Sequence, residues 1–215
     1  MVLVTGMLMR LIAIASGVAL IVTSALWARG ETPREAVTHG SFIFDPVTYS
    51  SPGLGGSVTA DDIRTIDTVA RAELASAFQG LRIPITDRRD ARYHVRVVQE
   101  LLLPMTKRKI WVAGSSHAVP GFGGSGAVSF TYHASGALVY APPEATRSEL
   151  IEAIGRGIGR GAAHEFAHQF LSGQSLHDTR DRGSYEYYSA SRSEQYYGPM
   201  HWDIAGPLLL KRFGR

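Results

Sequence analysis

Two imidazoles and a carboxylate lie within five residues of one another at His164-Glu165-Phe166-Ala167-His168. On a helix, residues four apart share a face one turn apart, so both histidines can reach a single cation. Neutral imidazole nitrogens suit Zn²⁺, which binds them at about 2.0–2.1 Å in a near-tetrahedral shell. A catalytic zinc keeps one position for water and lowers the pKa of that water to about 7. Glu165, adjacent to the first histidine, is placed to take a proton from it. The spacing therefore predicts metal-assisted hydrolysis, with His164 and His168 as ligands and Glu165 as general base. A further histidine, His177, follows soon after the expected end of the helix.

The elements that must position these groups are legible in outline. A long helix is predicted over 147–171. Its glycines at 155, 157, 159 and 161 each cost up to about 1 kcal/mol relative to alanine, which predicts close packing of the helix against a sheet. An earlier helix starts at Thr59, with Asp62 three residues on as a capping box, and Ile63, Ile66, Ala70, Leu74 and Ala77 form its apolar face up to Gly80. Between the helices, 81–85, 91–98 and 110–112 read as strands, the second alternating Tyr93, Val95 and Val97 with Arg92, His94 and Arg96. Residues 128–132 and 137–140 read as a hairpin turning at Ser135-Gly136. The glycine-rich stretch 114–126 reads as a flexible loop. Its Gly121-Phe122-Gly123-Gly124-Ser125-Gly126 run leads into a strand-like segment, so no helix N-terminus follows to hold a pyrophosphate. The order of helix, strands, long helix and irregular tail predicts an α+β fold, a mixed sheet packed on two helices.

The chain of 215 residues has a formal charge of +3 and no run of five basic residues, which argues against a nucleic-acid partner. It has no cysteine, which excludes disulfides and thiol catalysis. Arg10 followed by the charge-free apolar run 11–27, with Thr23-Ser24-Ala25 near its end, predicts a signal peptide or an N-terminal membrane anchor over 1–28. Residues 29–58, rich in Gly, Pro, Ser and Thr, read as a linker, strand-like only over 41–47, and 59–215 as the functional domain. The chain is thus expected to be exported: periplasmic, extracellular or held at the outer face of a membrane through 11–27.

Residues 55–188 resemble the metzincin-type zincins, whose active-site helix carries HExxHxxGxxH, often followed by Asp. His164, Glu165 and His168 match that motif. Leu171 stands at the glycine position, with Ser172-Gly173 offering a turn two residues later, and Gln174 at the third-histidine position. His177-Asp178 reproduces the His-Asp pair three residues late. The resemblance implies a zincin-like fold, His177 as third zinc ligand across a longer spacer, and a turn beneath the metal. That turn is either Ser184-Tyr185-Glu186-Tyr187, with Glu186 in place of methionine, or Met200-His201-Trp202. The gluzincin-like alternative supplies a downstream glutamate as third ligand, Glu186 or Glu194. Asp178 is either an orienting partner for a ligand or a solvated loop acid. Tyr185, Tyr187, Tyr188, Tyr196 and Tyr197 are candidates to line the cleft and donate to an oxyanion, or to pack a C-terminal lobe. His94, His117, His133 and His201 lack ligand spacing and read as structural or surface residues.

The expected function is a zinc metallopeptidase acting on a peptide or protein. A zinc hydrolase for another amide, and an inactive zincin retained as a binding module, are the alternatives. The intact Glu165 speaks against the last, because a structural zinc has no need of that carboxylate.

Overall fold

A computed structural model of the chain describes residues 38–105, 108–178, 180–188 and 191–215. The expected signal or anchor at 1–28 lies outside the described residues. Among those described, no helix is long and apolar enough to cross a membrane.

The alternating run becomes β3 (Tyr93–Val98), with Tyr93, Val95 and Val97 buried as their period of two requires. Its neighbour is β1 (Gly40–Phe44), which lies inside the segment expected to be a linker. Phe42 of this strand is wholly buried, and Tyr49 and Leu54 beyond it also join the core. The sheet continues with β2 (Ile85–Thr86), β6 (Gly114–Val119) and β7 (Gly123–Ser129), in the order β2-β1-β3-β7-β6. The first four strands in that order are parallel, and β6 runs antiparallel to β7 at the edge. A separate antiparallel hairpin pairs β4 (Leu102–Met105) with β5 (Arg108–Trp111).

The helices are α1 (Ala60–Ala77), α2 (Phe130–Val139), α3 (Arg147–Phe170), α4 (Glu194–Tyr197) and α5 (Ala205–Phe213). The α+β class and the mixed sheet on two helices, α1 and α3, are as expected. Thr59 and Asp62 form the capping box of α1. Thr146 and Glu149 form a second box at the start of α3, which fixes where the long helix begins.

Two further expectations fail, and a third, that α3 packs close on the sheet, holds for the helix but not for most of its glycines. The 114–126 stretch is a strand pair, not a loop, and its glycines serve the helix above: a Cβ at Gly124 would lie 2.8 Å from Gln169 Cγ, and one at Gly126 2.9 Å from Gln169 Nε2. The expected hairpin over 128–140 is the end of β7 followed by α2. Ser129 caps this helix through the Tyr132 amide, and Phe130, His133, Ala134 and Ala137 bury one face at helical spacing. The α3 glycines face helices more than the sheet. A Cβ at Gly155 would lie 2.7 Å from Val69 Cβ, and one at Gly159 2.6 Å from the Ala70 carbonyl, both on α1. Gly157 and Gly161 make room instead for Tyr196 and for His133 of α2.

Candidate metal centre

Both histidines of the motif fall in the last two turns of α3, with Phe166 and Phe170 on the opposite face anchoring the helix in the core. Those two rings stack at 5.5 Å and meet Phe78 edge-on. The helix ends at Phe170, and Gly173, at φ +89, takes the left-handed conformation that turns the chain back. The returning strand of chain pairs with a second loop: the Asp178 amide donates to the Glu186 carbonyl at 2.9 Å and the Tyr188 amide to the Asp178 carbonyl at 2.6 Å. This pairing sets His177 against the ring of Tyr188, stacked at 4.1 Å.

The three imidazoles converge. His168 Nε2 lies 3.1 Å from His164 Nε2 and 3.0 Å from His177 Nε2. His164, His168 and His177 are the group among the described residues able to hold a metal ion, their ligand atoms all within 4.8 Å of one another. Two ligands 2.0–2.1 Å from a tetrahedral zinc would be about 3.3–3.4 Å apart, so the two separations at His168 are close to those of a zinc shell. His164 Nδ1 lies 2.8 Å from the Tyr185 carbonyl, which can only accept. The proton therefore sits on Nδ1, and His164 Nε2 presents a lone pair. One proton on His168 Nε2 could serve only one of its two neighbours, so hydrogen bonding alone does not account for the cluster. Burial first, then mutual repulsion, pushes His164 down to about 3 and His168 to about 4, and burial lowers His177 as well. Neutral imidazoles are the form a cation needs.

Glu165 points to the other side of the same helix turn, under the edge strand. It is 6% exposed, and burial raises its pKa to about 7 against the opposing pull of Ser116. A Cβ at Gly114 of β6 would overlap its carboxylate, so the glycine is what lets the strand cross here. Histidines and glutamate open on one cleft of about 700 Å³, walled by Ile110 and Trp111 of β5, by β6, and by the loops around Tyr187 and Arg192.

The glutamates named as alternative ligands are occupied elsewhere. Glu186 is wholly buried and accepts from Ser184 Oγ and from the Asp203 and Ala205 amides at the start of α5. Glu194 is held by Arg182 at 3.0 and 3.2 Å, which keeps its carboxyl down at about 2. Neither joins the histidine cluster. At the histidine end of α3, the Ser184-Tyr185-Glu186-Tyr187 turn presents the Tyr185 carbonyl to His164. The Met200-His201-Trp202 segment runs beside that turn, with the Tyr185 amide donating to the His201 carbonyl at 2.9 Å, and Met200 packs on the core. Asp178 closes its own loop through the Arg180 and Asp181 amides. Of the tyrosines, Tyr185, Tyr187, Tyr188 and Tyr196 line the cleft, Tyr185 also packing on Trp202 and Tyr196 buried, while Tyr197 donates to the Ala137 carbonyl.

The sequence did not single out Tyr185 for its carbonyl, Gly114 and Ser116 beside Glu165, or Arg192 in the cleft wall. Nor did it place His133 at the cleft, where burial holds it neutral at about 3. A backbone carbonyl carries no residue-type signal. The glycine run was visible, but its partner in space was not. Comparison with known protein families and with curated proteins finds no match to this chain.

Proposed function

We propose that this chain is a zinc-dependent peptidase of zincin type, with His164, His168 and His177 as ligands and Glu165 as general base. The observation that carries the reading is the convergence of three imidazole nitrogens in one cleft with a buried carboxylate whose pKa is near neutrality. When bound, zinc supplies a Lewis acid that polarises the scissile carbonyl and acidifies water. Glu165, at about 7, is matched to accept a proton from the attacking water and return it to the leaving amine at neutral pH. The Tyr185 carbonyl fixes the His164 tautomer and ring orientation, the part usually played by a metal ligand's hydrogen-bond partner. The edge strand β6 favours an extended polypeptide over another amide: it borders the cleft, and its outer side has no strand partner among the described residues. The charge-free apolar run 11–27 after Arg10 supports a location outside the cytoplasm.

Zinc content and hydrolysis of a casein substrate test the assignment together. The His164→Ala, His168→Ala double variant is expected to hold no zinc, and Glu165→Ala to hold zinc without hydrolysing. Full zinc in the double variant, or activity of Glu165→Ala within a few-fold of wild type, overturns it.

A further inference from the structure

We propose that the cleft wall beside His164 is a carboxylate-binding subsite, in which Arg192 receives an acidic group of the substrate next to the scissile bond. The proposal rests on the zinc-peptidase reading and adds the substrate class.

Arg192 is 5% exposed and lines the cleft with Tyr187 and Tyr185. Its Nε donates to the Arg182 carbonyl, its Nη2 to the Ser184 carbonyl at 2.7 Å, and its guanidinium lies 4.5 Å from the centre of the Tyr187 ring. A guanidinium has five N–H donors, so three are left over. The neighbouring arginines each have an acid: Arg160 is paired with Glu73 at 2.9 Å and Arg182 with Glu194 at 3.0 Å. Arg192 has no carboxylate within ion-pair distance among the described residues, and Glu194, whose charge reaches it, is already held by Arg182. An arginine stays charged even where burial lowers its pKa, as it does here, and a buried unpaired cation is costly. Clamping two carbonyls does not require that charge. A planar carboxylate entering the cleft would satisfy it with paired hydrogen bonds.

The position fits a group adjacent to the reacting bond. Arg192 is close enough to His164 for its charge to weigh on that imidazole, and its Nη2 holds the turn whose Tyr185 carbonyl orients the ring. Of the other ionisable groups lining the cleft, Arg160 is already paired with Glu73, and burial keeps His133 uncharged. Glu165, the acid in the same lining, packs against Gly114 of β6. A carboxylate entering the cleft is therefore drawn to Arg192.

The carboxylate can come from an Asp or Glu side chain or from a free C-terminus. Four peptide hydroxamates, titrated calorimetrically into the zinc-loaded full chain, separate these sources: a C-terminally amidated Glu compound, its Gln isostere, an amidated Ala compound, and Ala with a free C-terminus. Zinc binding by the hydroxamate is common to all four. The expected result is about tenfold or tighter binding of a carboxylate-bearing compound over its neutral match, the size of one charge-assisted hydrogen bond. Which of the two carboxylates gains identifies the source. Arg192→Gln is expected to close the gap, and Arg192→Lys to keep part of it, whereas a purely structural role for Arg192 would weaken all four compounds alike. Equal binding of the four to the wild type overturns the subsite alone. Binding of none overturns the zinc reading and the subsite with it.

Discussion

Replacing Glu165 with glutamine should make the metal-free protein more stable at neutral pH while removing the proposed base. Glu165 is buried with a pKa near 7, against an ordinary value of 4.5. Below about pH 4.5 the folded and unfolded chains both hold the proton, and the group has no effect. Between 4.5 and 7 the unfolded chain releases it while the folded chain keeps it, so stability falls as pH rises. Above 7 both are ionised, and the deficit is constant at about 3 kcal/mol, 2.5 pH units at about 1.36 kcal/mol each. A neutral glutamine of nearly the same shape carries none of this. His164 and His168, whose pKa values are lowered, give stability that instead grows as pH rises from about 3 to 6.5. Glu165 is not among the causes of either shift, so their contribution cancels in the difference between the two proteins. Urea unfolding in EDTA from pH 4 to 8 reads that difference directly. It should be near zero at pH 4 and grow to about 2–3 kcal/mol in favour of Glu165→Gln by pH 8. A difference independent of pH, or a variant that loses stability relative to wild type as pH rises, would refute the reasoning.

Three further outcomes follow from the same geometry. His177→Ala should lower zinc affinity by orders of magnitude, whereas Glu194→Gln should leave it within about twofold and Glu186→Gln should lower the melting temperature without loss of zinc; titration of the three variants decides between His177 and the glutamates. Gly114→Ala pushes a methyl group onto the Glu165 carboxylate, and a misplacement of about 1 Å should cost on the order of 100-fold in peptide hydrolysis with zinc retained. Undiminished hydrolysis by this variant would show that Glu165 does not work from its observed position. Gly159→Ala gains about 1 kcal/mol of helix propensity but drives a Cβ against the Ala70 carbonyl of α1, so thermal unfolding should show a net loss of about 1–2 kcal/mol, and a more stable variant would contradict the close helix packing.

Features that depend on residues near in sequence were legible from the chain alone. The four-residue spacing of His164 and His168 puts both on one helical face wherever that helix packs. The Thr59–Asp62 capping box and the alternation of Tyr93, Val95 and Val97 likewise need only local geometry to become α1 and β3. Features set by partners distant in sequence were not legible. The segment 130–139 has a helical spacing of apolar residues, yet its Val, Tyr and Ser-Gly content suggested a hairpin, and burial of Phe130 and Ala134 beneath α3 decided for a helix. Glycines at 124 and 126 looked like a flexible loop until Gln169 came to lie above them, and those at 155 and 159 answer to α1 instead of the sheet. The proposed third ligand shows the division most clearly. His177, Glu186 and Glu194 were all within plausible reach along the chain. The choice among them falls to a few long-range contacts: Tyr188 stacked on His177, the start of α5 holding Glu186, and Arg182 holding Glu194. Spacing along a helix is a property of the sequence, but which side chains meet across a loop is set by the hydrogen bonds and burial that fix the loop, and these exist only once the chain has folded.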